Sequence, residues 1–407
     1  MEIKHISETL GVVTVLEGSV RKAGNRIKVT AQLINAADGF HLWSQTYERE
    51  LDDIFDIQEE LSVSIVQALR LQMANDNSLN NRQGTSNVAA YNLYLQGRYF
   101  WNKRNQDGME KSIGYFKQAL DIDPTYSMAY VGLADAYNML AGWAYMENTS
   151  GFQMAKAAAI KALEFDDQLG PAYAALAYVQ LGYDWNWDEA RKNFLRAQEL
   201  SPNYAPAFYW YSEYCTAVGE VTDAVLYMEK AISLDPLSLI VNSELAWLYM
   251  FDAGKNALAL EQANKTLEMD AGFLPLHFYL YHMHYHLNNQ QLAFEHFITY
   301  TAWYDPQIME KIFEQSGWNG VGKELISAIE KGKGPETISP ITIAEYYCHN
   351  EEYDKALDYI ELAFNNRDYF LTHIAAWPVF KPLHTKARFG KVINDMGLDI
   401  SKLGPFL

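Results

Sequence analysis

Two cysteines in 407 residues, Cys215 and Cys348, stand far apart and share no motif. That excludes a disulfide framework and any paired-cysteine zinc or redox module, and it suits a reducing compartment. Long apolar runs are missing as well. No stretch approaches the ~20 residues that a membrane helix needs, and no basic leader precedes an apolar segment. The expected location is therefore the cytoplasm, without membrane association. Cations are scarce: 32 Lys and Arg stand against 51 Asp and Glu, a formal charge of −19. Such a field repels nucleic acid and anionic lipid and favours basic partners. Arg21, Lys22, Arg26 and Lys28 form the one basic cluster. It is too small for a nucleic-acid surface and reads as the solvated face of a hairpin.

Catalytic signatures are absent too. There is no G-x-S-x-G and no H-E-x-x-H, and neither cysteine has an activating partner nearby in sequence. "KGKGP" at 331–335 follows no strand and lacks a closing Lys-Ser/Thr pair, so it is not a phosphate loop. "DWNWDE" at 184–189 begins like a calcium loop but lacks the required glycine and distant glutamate. It reads as a turn in which Asp188 caps the following helix. No enzyme and no cofactor are expected.

What the chain does have is apolar and aromatic bulk. Apolar residues make up 49%, with 28 tyrosines and 10 tryptophans, enough for a large core. It also has a ruler. The strings "ALDIDPTY", "ALEFDDQL", "AQELSPNY", "AISLDPLS" and "TLEMDAGF" set marks at Pro124, Asp167, Pro202, Pro236 and Ala271, with a sixth at Asp305. The steps are 43, 35, 34, 35 and 34 residues. Twelve residues before each mark after the first stands an alanine: Ala155, Ala190, Ala224, Ala259 and Ala293. Ten residues after the first five marks come Ala134, Ala177, Ser212, Ala246 and Tyr281, each preceded by a leucine or tyrosine. Small residues at these offsets let two antiparallel helices approach closely, with the large neighbour filling the gap. Pro171, Pro206 and Pro275 fall near the starts of first helices, where a missing N–H costs nothing.

This pattern resembles the tetratricopeptide repeat family, whose unit is a 34-residue helix–turn–helix. The resemblance runs through 88–306 and resumes at "ITIAEYYCHNEEYDKALDYIELAFNNRDY" with Ala344, Tyr347, Ala356 and Ala363 in equivalent places. Between them, "PQIMEKIFEQSGWNGVGKELISAIEKGKG" reads as a degenerate helix pair. The long step puts about nine extra residues into "LAGWAYMENTSGFQM", as longer helices or a protruding loop.

Ahead of the repeats, 11–35 alternates apolar and polar residues around "KAGN", a hairpin signature, and "FHLWSQTYERE" follows as a third strand. "DDIFDIQEELSVSIVQALRLQM" then has helical spacing with acids at its start. The string "VLEGSVRKAGNRIKVTAQLINAADGFHLWSQTYERELDDIFDIQEEL" resembles the second half of a TolB-like domain. Domains of that kind precede tetratricopeptide arrays in bacterial adenylate cyclases and transcription regulators. The expected class is thus mainly α: a solenoid of antiparallel helix pairs behind a small α/β unit. The plan is 1–74 for the partial TolB-like domain, 75–87 linker, 88–306 repeat array, 307–370 degenerate and final helix pairs, and 371–407 a C-terminal capping segment. A three-stranded sheet with one helix is marginal alone, so its open edge is a candidate for pairing with a second copy.

The ruler also places rows on the concave surface, which first helices line in the family the chain resembles. Asp135, Tyr178, Tyr209, Glu213, Trp247, Phe278, His282 and Tyr285 stand in them as candidate partner-binding residues. Chaperone-binding relatives hold a peptide carboxylate with Lys, Arg and Asn there. These rows hold no Lys or Arg, so that activity is not carried over. Aromatic faces with carboxylates suit an extended peptide or protein with apolar and basic side chains. The competing arrangement has the aromatics packing between repeats, or a terminal segment filling the groove.

Five of ten histidines lie in "LHFYLYHMHYHLNNQQLAFEH" at 276–296. His277 and His284 take places held elsewhere by Tyr and Phe and read as core rings with a hydrogen-bond partner. His282 and His286, four apart on one face, open the alternative of a metal sensor or metal-dependent enzyme, although a tetrahedral site wants further ligands. A structural oligomer assembled through the sheet is the third reading. The leading one is a non-catalytic interaction scaffold in a bacterial signalling or regulatory assembly.

Overall fold

The computed structural model describes residues 14–23, 26–35, 41–50 and 87–399, apart from 251–254 and 336–337, together with isolated positions 12, 64 and 85. The chain divides into two units, Met1–Val88 and Ala89–Leu407.

In the first unit β1 (Thr14–Ala23), β2 (Arg26–Asn35) and β3 (His41–Glu50) form an antiparallel sheet in the order β1-β2-β3. Ala23 pairs with Arg26, which gives the tight hairpin that "KAGN" predicts. The alternation sends Ala31, Leu33 and Tyr47 to a buried side, while Leu16 and Val20 on the β1 edge stay exposed. Arg21, Arg26 and Lys28 are exposed, and Lys28 pairs with Glu48 at 2.9 Å. The helix expected over 52–73 lies outside the described residues except for Ser64, which is helical.

The second unit is a run of helix hairpins: α1 (Val88–Trp101) with α2 (Gln106–Ile122), α3 (Ser127–Gly142) with α4 (Asn148–Phe165), and α5 (Gly170–Val179) with α6 (Trp187–Leu200). Then come α7 (Ala205–Ala217) with α8 (Val221–Leu234), α9 (Leu239–Tyr249) with α10 (Asn256–Met269), and α11 (Leu274–His286) with α12 (Gln290–Tyr300). α13 (Pro306–Glu330) bends at Gly317, whose φ of 58° lies in the left-handed region. α14 (Pro340–His349) and α15 (Tyr353–Asn365) form the last hairpin.

The alanine columns are the seams. Ala155, Ala190, Ala224, Ala259 and Ala293 are all fully buried, as are Ala134, Ala177, Ser212 and Ala246 opposite them. Each second helix lays its alanine against its own first helix, so backbones approach where a larger side chain would hold them apart. In the first two repeats Gly97 and Gly132 clasp the ring of Phe116. A Cβ at either would meet ring carbons at 2.4 or 2.6 Å.

The long step is taken up by longer helices and not by a protruding loop. α3 has 16 residues and α4 has 18, against 13 and 14 in α7 and α8. At the other irregular turn, α5 runs on into a π turn at Gln180–Asp184, and Trp185 takes a φ of 52°. The cap of α6 is Asn186, whose side chain accepts from the Glu189 N–H, and not Asp188 as the sequence suggested. Asp184 instead pairs with Lys156 at 2.6 Å.

The C-terminal tail does more than cover the last repeat. After α15 the chain forms two 3-10 stretches, Tyr369–Ala376 and Pro378–Leu383, before α16 (Ala387–Asp395) returns to α15. Both 3-10 stretches contact the inner helices, and Tyr369, Leu371, Ile374, Trp377, Phe380 and Leu383 are buried there.

Candidate functional site: the concave wall

The first helices α3, α5, α7, α9 and α11 supply the inner wall, as the ruler predicts. Of the eight candidate residues, Asp135, Tyr178, Tyr209, Glu213, Trp247 and His282 are buried, and Phe278 and Tyr285 are half-buried. The chain itself buries them, so the competing arrangement, a terminal segment in the groove, is the one observed. Tyr369 stacks on Tyr178 with centroids 5.2 Å apart, and its hydroxyl donates to Glu213 at 2.7 Å. Trp377 stacks on the His282 ring at 5.3 Å and meets Phe278 edge-on at 5.2 Å. Small residues make the seat. A Cβ on Gly182 would lie 2.5 Å from the Tyr369 ring, and one on Gly142 would lie 3.6 Å from it.

Asp135 is already neutralised. Arg98 of α1 donates to its Oδ2 at 2.7 Å, and the Tyr204 hydroxyl donates to the same oxygen at 3.3 Å. Arg98 and Arg104 lie over the two sides of the buried Trp101 indole, 4.1 and 3.6 Å from its centre. Burial raises the Asp135 carboxyl's pKa, and the Arg98 charge opposes that. These two arginines are wall residues that the rows do not contain, because they come from the first repeat, ahead of the first mark.

Glu213 and Glu244 differ. Glu244 accepts from the hydroxyls of Tyr209 (3.0 Å) and Tyr279 (2.9 Å). Among the described residues no Lys or Arg hydrogen-bonds either carboxyl, although Arg104 lies close enough for its charge to lower the pKa of Glu213. Burial pushes Glu213 up to about 7. Burial, and then the charge of Glu213, raise Glu244. A cavity of about 80 Å³ adjoins both carboxyls, between the wall and the 3-10 segment.

The histidines do not assemble a metal centre. His282 stacks on Trp377, meets Phe278 edge-on and is tilted against Tyr281 and Trp247, with neither ring nitrogen hydrogen-bonded, and burial drives its pKa down to about 3. His286 is exposed. His277 is anchored by Ala271 O and by His296, both at 2.9 Å. His284 stacks on His296, but its Nδ1 lacks the hydrogen-bond partner the sequence led us to expect. Among the described residues no group of three or more His, Cys, Asp or Glu is arranged to hold a metal ion. Tyr285 leaves the groove row for an edge-on contact with Trp318 at 5.6 Å and His349 at 5.5 Å.

No family model matches the chain. Over 134 residues it is 37% identical to putative adenylate cyclase 3 of Rhizobium meliloti, covering 33% of this chain and 23% of that protein. Over 162 residues it is 22% identical to the transcriptional regulator HilA of Salmonella typhimurium, covering 40% of this chain and 29% of HilA. The matched stretch is thus less than a third of the length of either relative. Among solved structures, the human IFIT1 dimer with m7Gppp-AAAA superposes with a TM-score of 0.50 at 15% identity, over 76% of this chain and 78% of that one. The fold is of the tetratricopeptide type. No described helix is long and apolar enough to cross a membrane.

Proposed function

We propose that the chain is a non-catalytic scaffold for protein interactions, and that its concave wall recognises a peptide segment bearing apolar and basic side chains. The observation that carries this reading is the seat of 369–377. The wall holds an irregular aromatic segment by burying rings between Tyr178 and His282 and by taking a tyrosine hydroxyl on Glu213. A bound peptide would be held by the same chemistry at the opening that this segment leaves beside Glu213 and Glu244. The repeats are preformed, so little ordering cost is added on binding. A basic side chain of the partner meets Glu213 and Glu244, which among the described residues have no ion-pair partner. The RNA seen with IFIT1 is not carried over, because the opening beside Glu213 and Glu244 has no Lys or Arg in its lining to meet a phosphate.

The relatives' names support a place in a bacterial signalling or regulatory assembly, while a cytoplasmic location and a partial TolB-like domain over 1–74 rest on the sequence alone. A peptide library probed with the full chain tests the reading. Enrichment of sequences with Lys or Arg beside aromatics, reduced by Trp247→Ala and Tyr209→Ala, is expected, and equal enrichment by the variants contradicts it. A second reading, self-association through the sheet, is favoured by exposed Leu16 and Val20 on the β1 edge. A concentration-independent monomer mass in sedimentation would dismiss it.

A further inference from the structure

The cavity between the wall and the 3-10 segment combines features that point to one ligand chemistry. Its carboxyls are Glu213 and Glu244, 8% and 7% exposed. Its aromatic walls include Trp143, Trp247, Phe278 and Trp377, which come from four separate parts of the fold. Trp143 stands at the end of α3, in the repeat whose length breaks the period. Trp377 arrives with the C-terminal segment. Rings around a carboxyl pair that has no ion-pair partner among the described residues are what an organic cation requires. The ring faces attract its positive charge, and the carboxyls supply the counter-charge with no direct ion pair to break among the described residues, the Arg104 charge reaching Glu213 only through its field. A neutral apolar group would gain nothing from the carboxyls, which keep the hydroxyls of Tyr209, Tyr279 and Tyr369 as their partners, and an anion would be repelled.

We infer that this cavity binds an alkylammonium group, with the nitrogen against Glu213 and Glu244 and the alkyl part among Trp143, Trp247, Phe278 and Trp377. Its size admits a short alkylammonium. The inference rests on the scaffold reading only for one source of the ligand, a lysine side chain of a bound peptide. The other source is a free amine.

Several groups face the carboxyls: the hydroxyls of Tyr209, Tyr279 and Tyr369 by hydrogen bonds, and Tyr178 and Arg104 through their field. His373 also lines the cavity, and burial holds it near 4, hence neutral around pH 7. Near neutrality the pair retains a proton. A bound cation displaces that proton, so affinity falls as pH drops below about 7, approaching tenfold per pH unit.

Calorimetric titration of the full chain provides the test, with n-butylammonium chloride, an N- and C-blocked lysine, and 1-butanol as the neutral counterpart. Saturable butylammonium binding, absent for 1-butanol, is expected. Glu244→Gln should weaken it at least tenfold. Trp143→Leu, at a half-buried position that tolerates the change, should weaken it severalfold. If blocked lysine also binds, the cavity reads peptide side chains. If only butylammonium binds, it reads free amines, and the peptide reading loses its basic contact while the cavity assignment stands. No saturable binding of either amine, equal binding of 1-butanol, or affinity unchanged in both variants would overturn the assignment and leave the cavity as solvent space.

Discussion

Asp135 and the Glu213–Glu244 pair occupy the same inner wall and have opposite surroundings. Asp135 has Arg98 at 2.7 Å and no open space, so its charge is satisfied within the fold. Glu213 and Glu244 have tyrosine hydroxyls, each other's field and a cavity, but no ion pair among the described residues. Acidic character read from sequence therefore means two different things a few turns apart. One carboxylate holds the first repeats together by an ion pair, and the other two are kept by burial with a proton and tyrosine hydroxyls in place of a cation.

Four substitutions sharpen or break that comparison. The largest effect is expected from Trp377→Ala, which removes the ring covering His282 and Phe278 and should cost about 3–5 kcal/mol in denaturant unfolding. A loss under about 1 kcal/mol would mean that the C-terminal segment rests loosely on the wall. Asp135→Asn should cost about 3 kcal/mol, because Arg98 then stays largely buried without its counter-ion. The third effect is a pH dependence. Glu213 has its pKa raised on folding, to about 7 from an ordinary 4.5. The folded chain thus holds a proton that the unfolded chain releases above pH 4.5, so stability from this group is full below that pH and is lost as pH rises toward 7. Glu213→Gln removes the loss, and the variant should gain on the parent by about 3 kcal/mol across that window. A constant difference between the two would contradict it. The smallest effect is expected from Glu244→Gln at pH 7, which replaces a carboxyl that burial and Glu213 already favour in its neutral form and should change stability by no more than about 1 kcal/mol. Destabilisation comparable to Asp135→Asn would erase the distinction between the two sites.

His282 acts in the opposite sense to Glu213. Its folded pKa is lowered to about 3 from 6.5 by burial. The unfolded chain takes up a proton first, so stability is lost as pH falls through that range.

The seams between helices were legible because their requirement is local and repeated. An alanine twelve residues before each mark has one steric purpose, and all five are buried. The wall rows were legible for the same reason, since a row follows from the period alone. What covers the wall was not. "YFLTHIAAWPVFKPL" has neither helical nor strand period, and two prolines keep it from either. It can be placed only by the surface that receives it. A signal did exist: Gly142 and Gly182 stand on inner helices where a larger residue would otherwise be expected, and both leave room for Tyr369. Arg98 and Arg104 escaped because they precede the first mark. Asn186 escaped as a cap because the π turn shifts the start of α6.

Native-state hydrogen exchange of residues 369–383 tests the account most directly. If the segment is a fixed part of the concave wall, its buried amides exchange only as slowly as those in the middle of α7 and α11, by the same global opening. Exchange at the rate of an exposed loop, while α7 and α11 stay protected, would show the groove to be open and the account wrong.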